Sequence, residues 1–293
     1  MRKLAYQLDI NLNNVTGSGP KGRITKEDTH AYVKSLMQED RTQIAAGGPL
    51  KDMLAWPQVD FTKFGPIQRQ PISRLRKISA ANLHRNWVSI PHVTNHEDAD
   101  ITDLEAFRVE LNQQHEKSGI KVTMVALLIK VVTAALKKFP EFNASLDGDD
   151  IILKDYFHIG FAADTPNGLV VPVLRDADKK GILQVAKEVS ELAAKARDSK
   201  LSANDMSGGC ISISSLGGIG GTYFTPIINA PEVAILGVAK ARTELKWNGK
   251  EAMPRLILPM SLSWDHRALD GAQAGRFNAY LAALLADIRR IML

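Results

Sequence analysis

One cysteine, Cys210, stands in a chain of 293 residues. That scarcity excludes an internal disulfide framework and agrees with a reducing compartment. Long apolar runs are missing as well. None approaches the ~18 uninterrupted residues of a membrane-spanning helix, and the richest stretch, 122–136, is broken by Lys130. Met1-Arg2-Lys3 leads into mixed sequence with no apolar leader. These absences point to a soluble, cytoplasmic protein with no membrane partner. Charge of one sign is not in large excess, since the net charge is +5, too mild at this length to indicate a nucleic-acid partner. Acidic residues are absent from one window, however. Between Pro66 and Ile90 lie Arg69, Arg74, Arg76, Lys77 and Arg85. A solvated basic face and a surface that attracts phosphates or an acidic partner both fit this pattern.

What is present divides into three zones. Residues 1–37 form a small helical module, with one helix expected over 2–8 and another over 26–37. Thr25 and Asp28 supply a T-x-x-D capping box for the second. So short a piece buries little core and suits docking. The loop Gly17-Ser18-Gly19-Pro20-Lys21-Gly22 matches G-x-G-x-x-G, but no strand precedes it and Pro20 interrupts it, so it is not read as a dinucleotide site. Residues 38–70 are punctuated by Gly and Pro and carry Trp56, Phe61 and Phe64, the pattern of a tether whose last part packs onto the adjoining domain. Residues 71–293 read as one α+β domain with a mixed sheet. Helices are expected over 103–113, 122–139, 182–197 and from 272 onward, and strands over 156–163, 168–174, 210–214, 233–239 and 256–262. No regular βαβ repeat appears, which argues against a doubly wound fold.

The chemistry concentrates near the C-terminal end. Ser263-Trp264-Asp265-His266-Arg267-Ala268-Leu269-Asp270-Gly271 lies where an apolar run ends and a helical pattern begins. Such a junction projects side chains from a rigid scaffold into a cleft. His266 followed four positions later by Asp270 fits a base with a carboxylate nearby; it also fits a capped helix beside an exposed histidine. A second candidate is Cys210-Ile211-Ser212-Ile213-Ser214-Ser215-Leu216-Gly217-Gly218, a strand carrying two hydroxyls on one face and running into glycines. No G-x-S-x-G elbow surrounds it, so an oxyanion donor or plain turn serines are the open readings, not a nucleophile. Cys210 reads as a buried, inert thiol. His92 and His96 stand four apart, but Pro91 and the β-forming Val93-Thr94 argue against a helix that would join them, and no metal centre is expected.

Taken together, four ordered segments go further. Asp265-His266-Arg267-x-x-Asp270-Gly271 matches a DHRxxDG signature. With it stand 211–218, 164–173 (DTPNGLVVPV) and 229–237 (NAPEVAILG). On these segments the chain resembles the acyltransferase family of 2-oxo acid dehydrogenase complexes over nearly its full length. Residues 17–28 look like that family's peripheral-subunit-binding domain. The segments 56–65 and 83–92 resemble its bacterial pyruvate-complex branch. No lipoyl domain is found in this sequence, and the binding module lacks its usual opening residues.

The resemblance implies a chloramphenicol-acetyltransferase-like fold preceded by a small helical binding module, with trimers building a larger cubic core. It implies acetyl transfer between dihydrolipoamide and coenzyme A, both as substrates, the lipoyl group arriving on a domain outside this sequence. His266 would be the base that deprotonates the attacking thiol, and Ser214, contributed by a neighbouring subunit, the donor to the oxyanion. Asp270 would maintain the loop that orients the imidazole, and Arg108 would contact coenzyme A phosphates. The module 1–37 would bind the pyruvate decarboxylase subunit or dihydrolipoamide dehydrogenase through basic residues such as Arg2, Lys21 and Arg23. Two other readings remain at this point: a non-catalytic core or docking subunit, and transfer of succinyl or branched-chain acyl groups.

Overall fold

The computed structural model describes residues 15–32, 57–166 and 168–292, and the chain divides into two compact units, 1–69 and 70–293. In the first unit the predicted capping box is formed. Thr25 N donates to Asp28 Oδ2 at 2.8 Å and Asp28 N to Thr25 Oγ1 at 3.2 Å, opening a helix over 26–32. Ser18 adds donors from Oγ at 2.6 Å and N at 2.9 Å. These bonds, those from Ser18 first, hold the Asp28 carboxyl far below the usual carboxylate range. The glycines serve the same packing, since a β-carbon on Gly17 would come within 2.8 Å of the Arg23–Ile24 backbone. The helix expected over 2–8, the end of the second helix and most of the tether lie outside the described residues. Phe61 and Phe64 are exposed.

The second unit is built on a mixed sheet. Its strands are β1 (His92–Asp100), β4 (Ile159–Phe161), β7 (Val173–Leu174), β8 (Ile211–Ser215), β9 (Ala234–Val238), β10 (Arg242–Trp247) and β11 (Ala252–Asp265). The order is β1-β11-β9-β8-β4-β7, and β10 follows β9 along β11. Neighbours β4, β8 and β9 run parallel, and the remaining pairings are antiparallel. Two hairpins stand apart: β2 (Ala144–Asp147) with β3 (Asp150–Leu153), and β5 (Ala163–Thr165) with β6 (Gly168–Val170). The α+β expectation is therefore met.

Helix α3 (Met124–Lys138) packs against both α4 (Ile182–Arg197) and α5 (Gly271–Ala286), and all three lie against strands of the sheet. α3 is apolar nearly all round because it is enclosed nearly all round, with Leu127, Leu128, Ile129 and Leu136 buried. Its one mid-helix cation, Lys130, donates Nζ to the carbonyls of Ala177 and Lys180. Phe142 and Phe277 stack at 4.1 Å in the same core. Cys210 is fully buried there; burial pushes its thiol up, and Sγ lies 3.2 Å from the Tyr156 carbonyl. Among the described residues no helix is long and apolar enough to cross a membrane.

Five features depart from the expected pattern. Helix α1 (Arg74–Ser89) occupies the basic window, where apolar periodicity gives no signal: only Asn86 is buried along it, while Ile78, Leu83 and Trp87 are exposed. β1 reads H-V-T-N-H-E-D-A-D and is paired along its whole length to β11. It is a strand because partners satisfy its polar groups, as where Thr94 Oγ1 meets Ser263 Oγ at 2.7 Å. β11 runs past the predicted 256–262 at both ends, at its C-terminal end with Ser263 and Asp265 buried and at its N-terminal end as the exposed partner of β10. The segment 168–174 is split at Pro172, which has no N–H to continue a ladder. Helix α2 (Thr102–Gln114) lies one residue beyond its predicted span at each end.

Candidate active site

β11 delivers a tightly fixed turn. Asp265, its last residue, is buried, and its carboxylate accepts from Arg267 N (3.0 Å), Nε (3.0 Å) and Nη2 (2.7 Å). The Asp265 carbonyl receives Ala268 N and Leu269 N, each at 3.0 Å, and the buried Leu269 side chain anchors the far end. His266 N donates to the Pro91 carbonyl at 3.1 Å, tying the turn to the start of β1. What projects from this scaffold is the imidazole. It is exposed, with its centroid 4.7 Å from the Trp264 ring, and Trp264 is itself held by a 2.7 Å bond from Nε1 to Asn95 Oδ1.

Asp270 begins α5. Its carboxylate accepts from Gln273 N at 2.8 Å, and its own N–H donates to Gln273 Oε1 at 2.9 Å, a reciprocal capping box. The carboxylate is spent on the helix and does not hydrogen-bond the imidazole. Asp270 thus fixes the turn from its C-terminal side and leaves the ring's tautomer to other groups. Asp270→Ala should lower unfolding stability by about 1 kcal/mol in a denaturant titration, whereas Asp270→Asn, which also caps, should leave it nearly unchanged.

Ser214 lies in β8, where alternation sends Ile211 and Ile213 into the core and Ser212 and Ser214 to the opposite face. Its hydroxyl makes no hydrogen bond within the described chain and is half-buried. The strand partner of Ser214 is Gly237, whose missing side chain admits the Phe224 ring; a β-carbon there would sit 2.7 Å from Phe224 Cζ. Ser214 is also in register, through Gly237, with Ser261, five residues before His266. At about 3.3 Å per residue and about 4.8 Å per strand, Ser214 and His266 of one chain lie roughly 15–20 Å apart. One chain does not bring them to a common reacting atom.

Arg108, on α2, opens on a cleft of about 440 Å³ whose walls include Lys121, Thr123, Ser215, Gly217 and Gly218. Its donors are already engaged, by Glu105 at 2.6 and 2.8 Å and by the Val122 carbonyl at 3.1 Å. Glu105 hydrogen bonding pushes the Arg108 guanidinium up, and the guanidinium in turn pulls the Glu105 carboxyl down. Lys121, which composition did not single out, is the exposed cation of this cleft and has no ion-pair partner among the described residues. His92 and His96 are held elsewhere: His92 Nδ1 meets the Ile90 carbonyl and Nε2 accepts from Ile228 N, while His96 Nδ1 meets Ser261 Oγ.

Sequence reasoning passed over Glu232, the acid inside 229–237. It is buried, and Oε1 accepts from Ser212 Oγ (2.9 Å) and Asn229 Nδ2 (3.2 Å). Burial pushes its carboxyl up to about 7. The only signal was a lone acid abutting an apolar strand. The unfolded chain gives up this proton near the ordinary value of about 4.3, so folding binds it more tightly. The associated stability is full below that value and is lost as pH rises through about 7. Calorimetry should show unfolding stability falling by up to about 3 kcal/mol between pH 4.5 and 8, with Glu232→Gln flattening the slope.

Comparison with known proteins places this geometry. The family model described as "2-oxoacid dehydrogenases acyltransferase (catalytic domain)" matches residues 64–293, and that of the "e3 binding domain" matches residues 1–28. The chain is 62% identical over 299 residues to the dihydrolipoyllysine-residue acetyltransferase component of the pyruvate dehydrogenase complex of Cupriavidus necator, covering 100% of this chain and 54% of that protein. The corresponding component of Haemophilus influenzae is 54% identical over 305 residues, again covering 100% and 54%. The chain thus spans about half the length of these curated relatives. Among solved structures, an Azotobacter vinelandii dihydrolipoamide acetyltransferase, studied for the roles of a serine, a histidine and an asparagine in its catalytic mechanism, superposes with a TM-score of 0.81 at 56% identity, over 82% of this chain and 100% of that one. The cubic core of the pyruvate dehydrogenase multienzyme complex gives the same values.

Proposed function

The chain belongs to the 2-oxoacid dehydrogenases acyltransferase family, and from that membership we propose that it transfers an acetyl group between dihydrolipoamide and coenzyme A within a pyruvate dehydrogenase complex. The observation that carries this is a matched set of three residues. The serine, histidine and asparagine of the Azotobacter enzyme are spaced as Ser214, His266 and Asp270 are here, 52 and four positions apart. The third position holds aspartate in this chain, and its capping role is one that asparagine also fills.

The steps follow from the groups. The His266 imidazole takes the proton from the coenzyme A thiol, and the thiolate sulfur attacks the carbonyl carbon of the acetyl thioester on dihydrolipoamide. A carbon–sulfur bond forms, and the carbonyl electron pair moves to oxygen. Ser214 Oγ–H donates to that oxyanion. On collapse the bond to the dihydrolipoamide sulfur breaks, and the leaving thiolate recovers its proton from the imidazolium. The wide separation of Ser214 and His266 in one chain supports a site shared between two subunits, with trimers building a cubic core. The cleft holding Lys121 and Arg108 would receive the coenzyme A phosphates. Residues 1–28 would dock dihydrolipoamide dehydrogenase or the decarboxylase subunit. The test is direct: the purified chain, given acetyl-CoA and free dihydrolipoamide, should form acetyl-dihydrolipoamide, with succinyl-CoA a much poorer donor. No transfer from either would overturn the reading; preference for succinyl-CoA would overturn its acyl specificity.

A further inference from the structure

The recess left by Gly237, the strand partner of Ser214, is filled by a ring from elsewhere in the chain. Phe224 enters it end-on: a β-carbon on Gly237 would meet Cζ at 2.7 Å and both Cε atoms at 3.1 Å. Partners in register point their side chains to the same face, and neighbouring strands lie about 4.8 Å apart. The end of the ring therefore stands about one strand spacing to the side of the Ser214 hydroxyl. Both flanks of Phe224 are pinned. Before it, Tyr223 donates its hydroxyl to Asp98 Oδ1 at 2.8 Å and packs its ring 4.9 Å from that of His96, with the Arg242 guanidinium 5.5 Å over its face. Beyond it, Pro226 and Ile228 are buried. Ile228 N donates to His92 Nε2 and the Ile228 carbonyl accepts from Asn86 Nδ2, each at 3.0 Å.

Phe224 is nevertheless only partly buried and takes no part in the apolar core on the other face of the sheet. A ring held this firmly outside the core acts as a wall. What it walls off is the space beside Ser214. A carbonyl oxygen that accepts from Ser214 Oγ at about 2.8 Å carries its first acyl carbon within about 5 Å of that hydroxyl, the range in which the ring stands. A methyl group fits alongside. A branched chain meets a ring that already rests on the Gly237 backbone and cannot retreat. We infer that Phe224 sets the size of the acyl group this chain accepts, by excluding larger groups rather than by attracting the small one, with Gly237 as the recess that seats it. The inference rests on the proposed acyl transfer with Ser214 as oxyanion donor.

Acyl preference tests it. The kcat/KM for transfer to free dihydrolipoamide is measured with acetyl-CoA and with isobutyryl-CoA, for the wild type, Phe224→Ala and Phe224→Leu. Each preference is a ratio within one preparation, so a loss of folded protein cancels from it and a merely structural role would not move it. The isobutyryl-to-acetyl ratio should rise at least about tenfold in Phe224→Ala, since one methylene in an apolar pocket is already worth that much. Phe224→Leu should show a smaller rise, and it decides the matter if the alanine variant fails to fold. A ratio unchanged in the folded variants, with acetyl transfer by the wild type intact, would overturn the role of Phe224 and leave the reaction standing. A wild type that takes both groups equally well would do the same. A wild type that transfers neither would instead remove the reaction, and this inference with it.

Discussion

Replacing His266 with Ala should lower acetyl transfer to free dihydrolipoamide by about 10²–10⁴-fold, the usual worth of a positioned general base. The loss should fall on kcat more than on KM, because in the proposed mechanism the imidazole acts on the sulfur proton during attack and contributes little to holding either substrate. Fold and assembly should survive. The ring projects from a turn whose backbone is fixed by Asp265, Pro91 and the α5 cap, none of which involves the imidazole nitrogens. A variant with most of its activity intact would remove His266 from the proton transfer.

The second large effect is expected at Ser214. Ser214→Ala should reduce kcat by about 10²–10³-fold, as when one oxyanion donor is removed. Its stability should change little, since the hydroxyl makes no hydrogen bond in the described chain. The two variants then combine informatively. If each site takes its histidine from one subunit and its serine from the next, random co-assembly of Ser214→Ala and His266→Ala chains leaves about a quarter of the sites with both groups intact. Two nearly dead proteins, unfolded together and refolded, should regain about that fraction of wild-type activity. Sites contained within single chains would regain none.

The sequence made α3, α4 and the ends of β8 and β9 legible because their apolar spacing matches how they are buried. It was blind where burial and polarity part company. β1 is a polar strand held by hydroxyl, imidazole and amide partners that lie more than 160 positions away, and no local pattern encodes such partners. Helix α1 escaped for the opposite reason, since its apolar residues do not face this chain's core. At the site, the turn that carries His266 was legible from a strand meeting a helix. Asp270 fits by sequence either a carboxylate that supports the imidazole's loop or a helix cap, and its hydrogen bonds are those of the cap. The separation of Ser214 from His266 follows from a strand register that only the fold displays. Glu232 went unremarked because burial, not its neighbours in sequence, gives it its character.

Cys210 carries a consequence for the proposed thioester chemistry. An accessible thiol in such a chain would compete with the true acceptor, take the acyl group onto itself and hold it as a dead-end ester. Here the sulfur is enclosed, sits beside the Tyr156 carbonyl and ionises reluctantly, so it is a poor nucleophile toward acetyl-CoA. In the proposed reaction, self-acylation at Cys210 is thereby suppressed, which leaves the acetyl group to the sulfurs that the substrates bring.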